Sequence, residues 1–149
     1  MAALPHIPII QAQNVPYGAG MDAAGSRVYI DPEFPRQGAL HTGKLIDTIP
    51  PTAIHEITET RYLQQGVKYA PAHKYANEVE VAYLRHQGLT DPEIKEYEDR
   101  LRPNIREVRR WTGPPPEDLN PKPYEDEGEM HLLRPPKQHP YADTAFPRT

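Results

Sequence analysis

No cysteine occurs in the 149 residues, which excludes disulfides, thiolate metal sites and cysteine nucleophiles. A basic surplus is also missing. Lys+Arg 17 stand against Asp+Glu 21, a formal net charge of -4, so no nucleic-acid partner is expected to bind through a broad basic surface. Apolar residues make up only 37% of the chain and never run long enough to span a bilayer, so no membrane partner is expected. The opening "MAALPHIPII" has no basic stretch ahead of an apolar one, and a secretory signal is not expected. These absences leave a cytoplasmic protein or a component of a larger particle.

Proline is what the chain has in quantity, 19 in all, and it marks the divisions. Pro5, Pro8 and Pro16 precede "YGAG", so residues 1–20 are expected to be an extended arm closed by a turn. "SRVYIDPEFP" reads as a short strand in which Val28 and Ile30 alternate with Arg27, Tyr29 and Asp31. "RQGALHTGKLIDTIPP" shows little periodicity and reads as a loop. A first helix is expected over 51–65, from Pro51 to a stop at Gly66, and a second over 70–87, with Pro71 in its first turn and a stop at Gly88. Thr90 and Glu93 have capping-box spacing and start a third helix at about 91, which Pro103 breaks or kinks before "NIREVRRW" continues it. Nine prolines fall in residues 113–149 and apolar spacing disappears there, which predicts an extended tail without regular structure, whose removal leaves the melting of the core nearly unchanged. The fold class expected is α+β: a small strand layer, a helical hairpin and a third helix over 21–112, flanked by two arms.

The hairpin carries the chemistry. Residues three, four, seven and eleven apart share a helix face. In the second helix Tyr69, Ala72, His73, Ala76, Glu80, Tyr83 and Leu84 form one stripe, with Lys74, Glu78 and Arg85 on the other side. In the first, Ile54 and Ile57 face the strand layer, and His55, Glu59, Tyr62 and Leu63 face elsewhere. The connection "QGVK" is short, so the two helices lie antiparallel and side by side. His55, Glu59, His73 and Glu80 then converge on one cleft. Burying a carboxylate without a partner costs several kcal/mol, about the scale at which such a group is neutralised or replaced. Two imidazoles and two carboxylates suit a divalent metal, zinc, iron or manganese before calcium. The alternative is a set of solvated or hydrogen-bonded surface groups. The histidines at 6, 41, 86, 131 and 139 lack a helical pairing, "YGAG" and "AAG" lack the lysine and serine of a phosphate loop, and "YEDEGE" can bind a cation loosely but reads first as a solvated acidic segment.

"AIHEITE" resembles the active-site helix of the zincin metallopeptidases, whose pattern is HExxH. The wider arrangement HExxE…YxxAHxxAxxxE resembles small zincin-like proteins of phage and bacterial genomes. The resemblance covers roughly residues 17–100. It implies a minimal zincin-like core with "RVYID" as its edge strand, His55 as a zinc ligand and Glu56 as the general base that activates water. Glu59 stands where the pattern has its second histidine, and His73 can restore the lost imidazole. One zincin class takes a third ligand from a Glu on the next helix. Glu78 and Glu80 both come near that spacing, but only Glu80 shares the buried stripe, as a further ligand or as a partner behind one.

Two functions are compatible with these residues. One is a metal-dependent, peptidase-like hydrolase with a protein or peptide substrate, its divalent metal, zinc before others, held by His55, Glu59 and His73. The other is a phage virion component, virion-associated rather than cytoplasmic, whose Pro-rich arms wrap neighbouring subunits around a structural or vestigial site.

Overall fold

The computed structural model describes residues 6–105 and 111–134. Its sheet has three short strands, β1 (Ile9–Ile10), β2 (Ala19–Met21) and β3 (Val28–Ile30), in the order β1-β3-β2, with β1 parallel and β2 antiparallel to β3. The strand of "RVYID" is therefore central, and β1 and β2 are the edge strands. Val28, Tyr29 and Ile30 are all buried because both faces of β3 are covered. Val28 and Ile30 pack with Ala53 and Ile57 on one side, and Tyr29 packs with Val15, Leu119 and Tyr124 on the other.

Residues 37–47 do not form a featureless loop. They make a two-stranded hairpin, β4 (Gln37–Ala39) and β5 (Leu45–Asp47), turned by bonds from Leu40 N–H to Lys44 O and from Gly43 N–H to Leu40 O. Strands of three residues are too short to show a period, and Gly38 removes the one side chain that would have marked it. A Cβ there would lie 2.5 Å from Leu101 Cδ1, so glycine is what lets the hairpin sit on the helix behind it.

The helical hairpin forms at the places the sequence marks: α1 (Ile49–Gln64) and α2 (Tyr69–His86). Both close on a glycine with positive φ, Gly66 and Gly88. In each, paired backbone bonds reach back, Val67 N–H to Tyr62 O and Gly66 N–H to Leu63 O, and likewise Leu89 to Leu84 and Gly88 to Arg85. Ala72 and Ala76 are wholly buried, and their small side chains let the α1 and α2 backbones approach closely. Beyond them come α3 (Asp91–Glu96), a π-helical turn at Tyr97–Leu101 and α4 (Arg102–Ile105). Thr90 and Glu93 form the capping box. Pro103 does not break this element, because the wider turn ahead of it, closed by Arg102 N–H to Tyr97 O, relieves the need for a regular bond at the proline. The expected continuation through 106–110 lies outside the described residues.

Neither terminal segment behaves as an arm where it is described. Val15 is buried and its N–H donates to the Asp31 carboxylate at 2.9 Å, while Ile9 and Ile10 pair with β3. The prolines of 6–20 set an extended course without preventing that pairing. Residues 111–134 cross the back of the sheet and carry α5 (Lys122–Asp126) and a 3-10 turn (Met130–Leu133). Asn120 N–H bonds Met21 O, Ala23 N–H bonds Asp118 O, and Leu119 and Tyr124 are buried. Sparse apolar residues suffice here because each enters a pocket that the core already offers. A Cβ on Gly20 would stand 2.9 Å from Leu119 Cδ1. The remainder of the tail, 135–149 with its Phe146, lies outside the described residues. No helix among the described residues is long and apolar enough to cross a membrane.

The carboxylates that tie the turns together make the fold acid-sensitive. Burial pushes Asp22 up, but the Ser26 hydroxyl and the Arg27 and Ser26 amides outweigh it and hold the group below the usual aspartate range. The Thr90 amide, opposed by slight burial, does the same for Glu93. A carboxyl with a depressed folded pKa contributes its stability above the unfolded value, about 4, and loses it as pH falls through the folded value. Melting temperature is expected to fall steeply below about pH 4, and Asp22→Asn is expected to flatten that slope in melts from neutral to acid pH. An unchanged slope would show that Asp22 carries none of it.

Candidate metal centre

Four ionisable groups meet on the α1–α2 seam, as the stripe arithmetic requires. His55 and Glu59, one turn apart on α1, face His73 of α2, and Glu80 lies two turns further along α2. His55 Nε2 is 3.1 Å from Glu59 Oε2 and 3.1 Å from His73 Nδ1, and His73 Nδ1 is 3.0 Å from Glu59 Oε2. The three atoms form a nearly equilateral triangle. Among the described residues this is the group of His, Asp and Glu side chains whose donor atoms can hold a metal ion.

Glu80 is not a fourth corner. Its Oε1 lies 3.0 Å from His55 Nδ1, the ring nitrogen on the far side from the triangle, and its Oε2 accepts the Tyr97 hydroxyl. A carboxylate oxygen is an acceptor for Nδ1–H, and with Nδ1 turned to Glu80 the ring presents Nε2 to the triangle. Glu78 is exposed and takes no part. Tyr62, on the α1 face of His55 and Glu59, packs on Tyr75 at a centroid distance of 5.0 Å, and it is Tyr69 that stands beside His73, its hydroxyl 3.3 Å from His73 Nδ1.

Burial pushes the Glu59 carboxyl up, but the hydrogen-bonded imidazoles of His55 and His73 outweigh it and hold the group below the usual glutamate range. It is ionised at neutral pH. A ring nitrogen of each imidazole and a carboxylate oxygen therefore face one another. A proton can bridge one edge of such a triangle at a time, whereas a cation satisfies all three corners. Donors around a tetrahedral zinc at about 2.1 Å stand about 3.4 Å apart, and those on one octahedral face at that radius about 3.0 Å. The observed edges match the second value and lie a few tenths of an ångström inside the first, so the residues fit a divalent ion.

A cleft of about 230 Å³ opens beside the triangle, with Glu56, Glu59, His73, Tyr17, Tyr69 and Tyr124 among its walls. Glu56 follows His55 by one residue and so turns about a quarter of a circle around α1, off the triangle and into the cleft. Its carboxylate is buried, with Oε2 3.8 Å from His55 Nε2. The far wall comes from the tail: Tyr124 stacks on Tyr17 at 4.2 Å, and Tyr17 donates to Glu129. Burial raises the Tyr69 hydroxyl far above its usual range, with Glu59 and Glu56 adding to the shift, and Tyr17 and Tyr124 are raised chiefly by burial too. All three remain protonated donors at neutral pH.

Tyr97 and Arg102 carried no sequence signal as site residues, and Tyr124, Glu127 and Glu129 stood out only as part of the acidic "YEDEGE", because these segments lie far along the chain. The nearest hint was Tyr69 on the buried stripe. Protein-family models, curated protein sequences and solved structures were compared with the chain, and none matches.

Proposed function

We propose that the protein is a zinc-dependent hydrolase of peptide or related amide bonds. The observation that carries this reading is the triangle of His55 Nε2, Glu59 Oε2 and His73 Nδ1 opening on a cleft into which a buried fifth side chain, Glu56, projects. A zinc ion held by those three atoms supplies Lewis acidity, which acidifies water and polarises a carbonyl.

The chain's own residues supply the rest. Glu56 accepts a proton from water in the cleft and returns it to the leaving amine. Tyr69, neutral and beside His73, donates to the oxygen on which negative charge develops. Because Glu80 sits behind His55, the three-donor set stays open on the cleft side, which is what distinguishes a catalytic from a closed structural site. The β2 edge suits an extended peptide only at Ala19. Gly18 and Asp22 bond across to β3, so Ala19 turns its backbone groups outward beside the cleft, whereas the Met21 carbonyl is already taken by the Asn120 N–H. The glutamate at position 59 adds one negative charge relative to a His pair and lowers the acidity such a site gives to water. A modest rate is expected.

Zinc-loaded protein is expected to cleave members of a quenched fluorescent peptide library. Glu56→Gln should retain one zinc by mass spectrometry while losing roughly 10²–10⁴-fold in rate. Equal rates for the two proteins, or no cleavage by zinc-loaded wild type, would sink the hydrolase reading. Zinc that binds and stabilises without any turnover would favour the virion structural protein with a structural ion.

A further inference from the structure

Tyr97 is wholly buried in a cluster otherwise made of aliphatic side chains, Leu40, Ile46, Leu84, Leu89, Ile94 and Leu101. Phenylalanine would fill that space. Its hydroxyl has a specific use, donation to Glu80 Oε2, the carboxylate whose other oxygen receives His55. Arg102 comes to the same carboxylate, with Nη1 3.7 Å from Glu80 Oε1 and its guanidinium 5.8 Å above the centre of the Tyr97 ring.

Residues 97 and 102 are five apart. On a regular helix they would point about 140° away from one another and could not serve one group. Between them runs the π turn, closed by the i→i+5 bond from Arg102 N–H to Tyr97 O, which brings residues five apart nearly one above the other. The irregularity in this helix is thus what aims both side chains at Glu80.

We infer that Tyr97 and Arg102, presented by the π turn, are positioning residues for the metal site: they hold Glu80 so that Glu80 holds His55 with Nε2 in the triangle. The inference rests on the metal-binding part of the reading above and not on the hydrolysis. Without the hydroxyl and the guanidinium, the Glu80 carboxylate would be free to rotate, and His55 would spend less time in the orientation that aims Nε2 into the triangle.

Zinc affinity of the full chain, measured by competition with a fluorescent chelator at neutral pH, tests it without any assay of turnover. Tyr97→Phe keeps the ring and loses only the hydroxyl, and is expected to weaken zinc binding about 10–100-fold, the usual effect of losing an outer partner of a metal ligand. Arg102→Met keeps an unbranched stem over the Tyr97 ring and should shift affinity in the same direction, which preserves the test should Tyr97→Phe fold poorly. Ile94→Val loosens the same cluster without touching Glu80 and should leave affinity within twofold of wild type. Wild-type affinity in both Tyr97→Phe and Arg102→Met would overturn the inference while leaving the metal site standing. No stoichiometric zinc in the wild type would overturn both.

Discussion

His73→Ala is expected to abolish stoichiometric zinc binding, as is His55→Ala, and Glu59→Gln is expected to weaken it by well beyond the 10–100-fold that loss of an outer partner costs (about that range for a typical site). Each removes one corner of a three-atom site whose edges are 3.0 and 3.1 Å, and among the described residues no fourth side chain joins that set. Glu80 cannot step in, because its oxygens are engaged on the far side of His55 by Nδ1 and by Tyr97. Glu78→Gln, two residues before Glu80 but on the exposed face of α2, should change nothing. Removal of the metal should also be visible as lost stability. A ligand bound only by the folded state contributes about 4 kcal/mol at a thousand times its Kd, and chelation should lower the melting temperature of wild type but not of His73→Ala. Mass spectrometry of the dialysed proteins and paired melts with and without chelator decide this. Zinc retained by His73→Ala would move the site elsewhere.

A chain ending at residue 110 is expected to lose much of its stability, with a fall in melting temperature on the order of 15 °C or more. Leu119 and Tyr124 are 7% and 2% exposed and cover Val15 and Tyr29. Emptying either position alone costs about 2–5 kcal/mol, in a fold whose total is about 5–15 kcal/mol. The segment also bonds the β2 edge through Asp118 and Asn120, and Asp126 accepts the Tyr69 N–H at 2.8 Å, so the start of α2 loses an acidic partner just ahead of His73. The truncation should therefore weaken zinc binding as well as the fold. Leu119→Ala is the milder form, with an expected loss of about 3 kcal/mol by denaturant titration. A truncated chain that melts with the full one would return 111–134 to the status of an arm.

Much of the frame was legible because it is local. Pro50, Pro51 and Pro71 favour helix starts, Gly66 and Gly88 supply positive-φ stops, and Thr90 with Glu93 forms a capping box, each through interactions that span only a few residues. The seam was legible for the same reason. His55 with Glu59 and His73 with Glu80 lie at helical spacings, and a short connection forces the two faces together. What the sequence concealed depends on distant contacts. The hairpin of β4 and β5 has strands of three residues, below the length at which a period can be seen. The tail read as an arm because Leu119 and Tyr124 are sparse, and sparseness says nothing about whether a matching hollow waits elsewhere.

The sequence by itself determined the ligand chemistry: no thiolate, two imidazoles and a carboxylate on one helical seam, and a glutamate following the first histidine. Only the tertiary structure decided where each group stands and what it touches. Residue spacing places a side chain on a helix face, but it cannot say which atom of an imidazole points inward, and that depends on what stands behind the ring. Here the group behind is Glu80, which accepts the Tyr97 hydroxyl and has the Arg102 guanidinium nearby, both from a helix whose π turn no local rule announces. The same holds for the cleft. Glu56 faces an enclosed volume only because Tyr124 and Glu129, more than 60 residues on, fold back over Tyr17 to wall it.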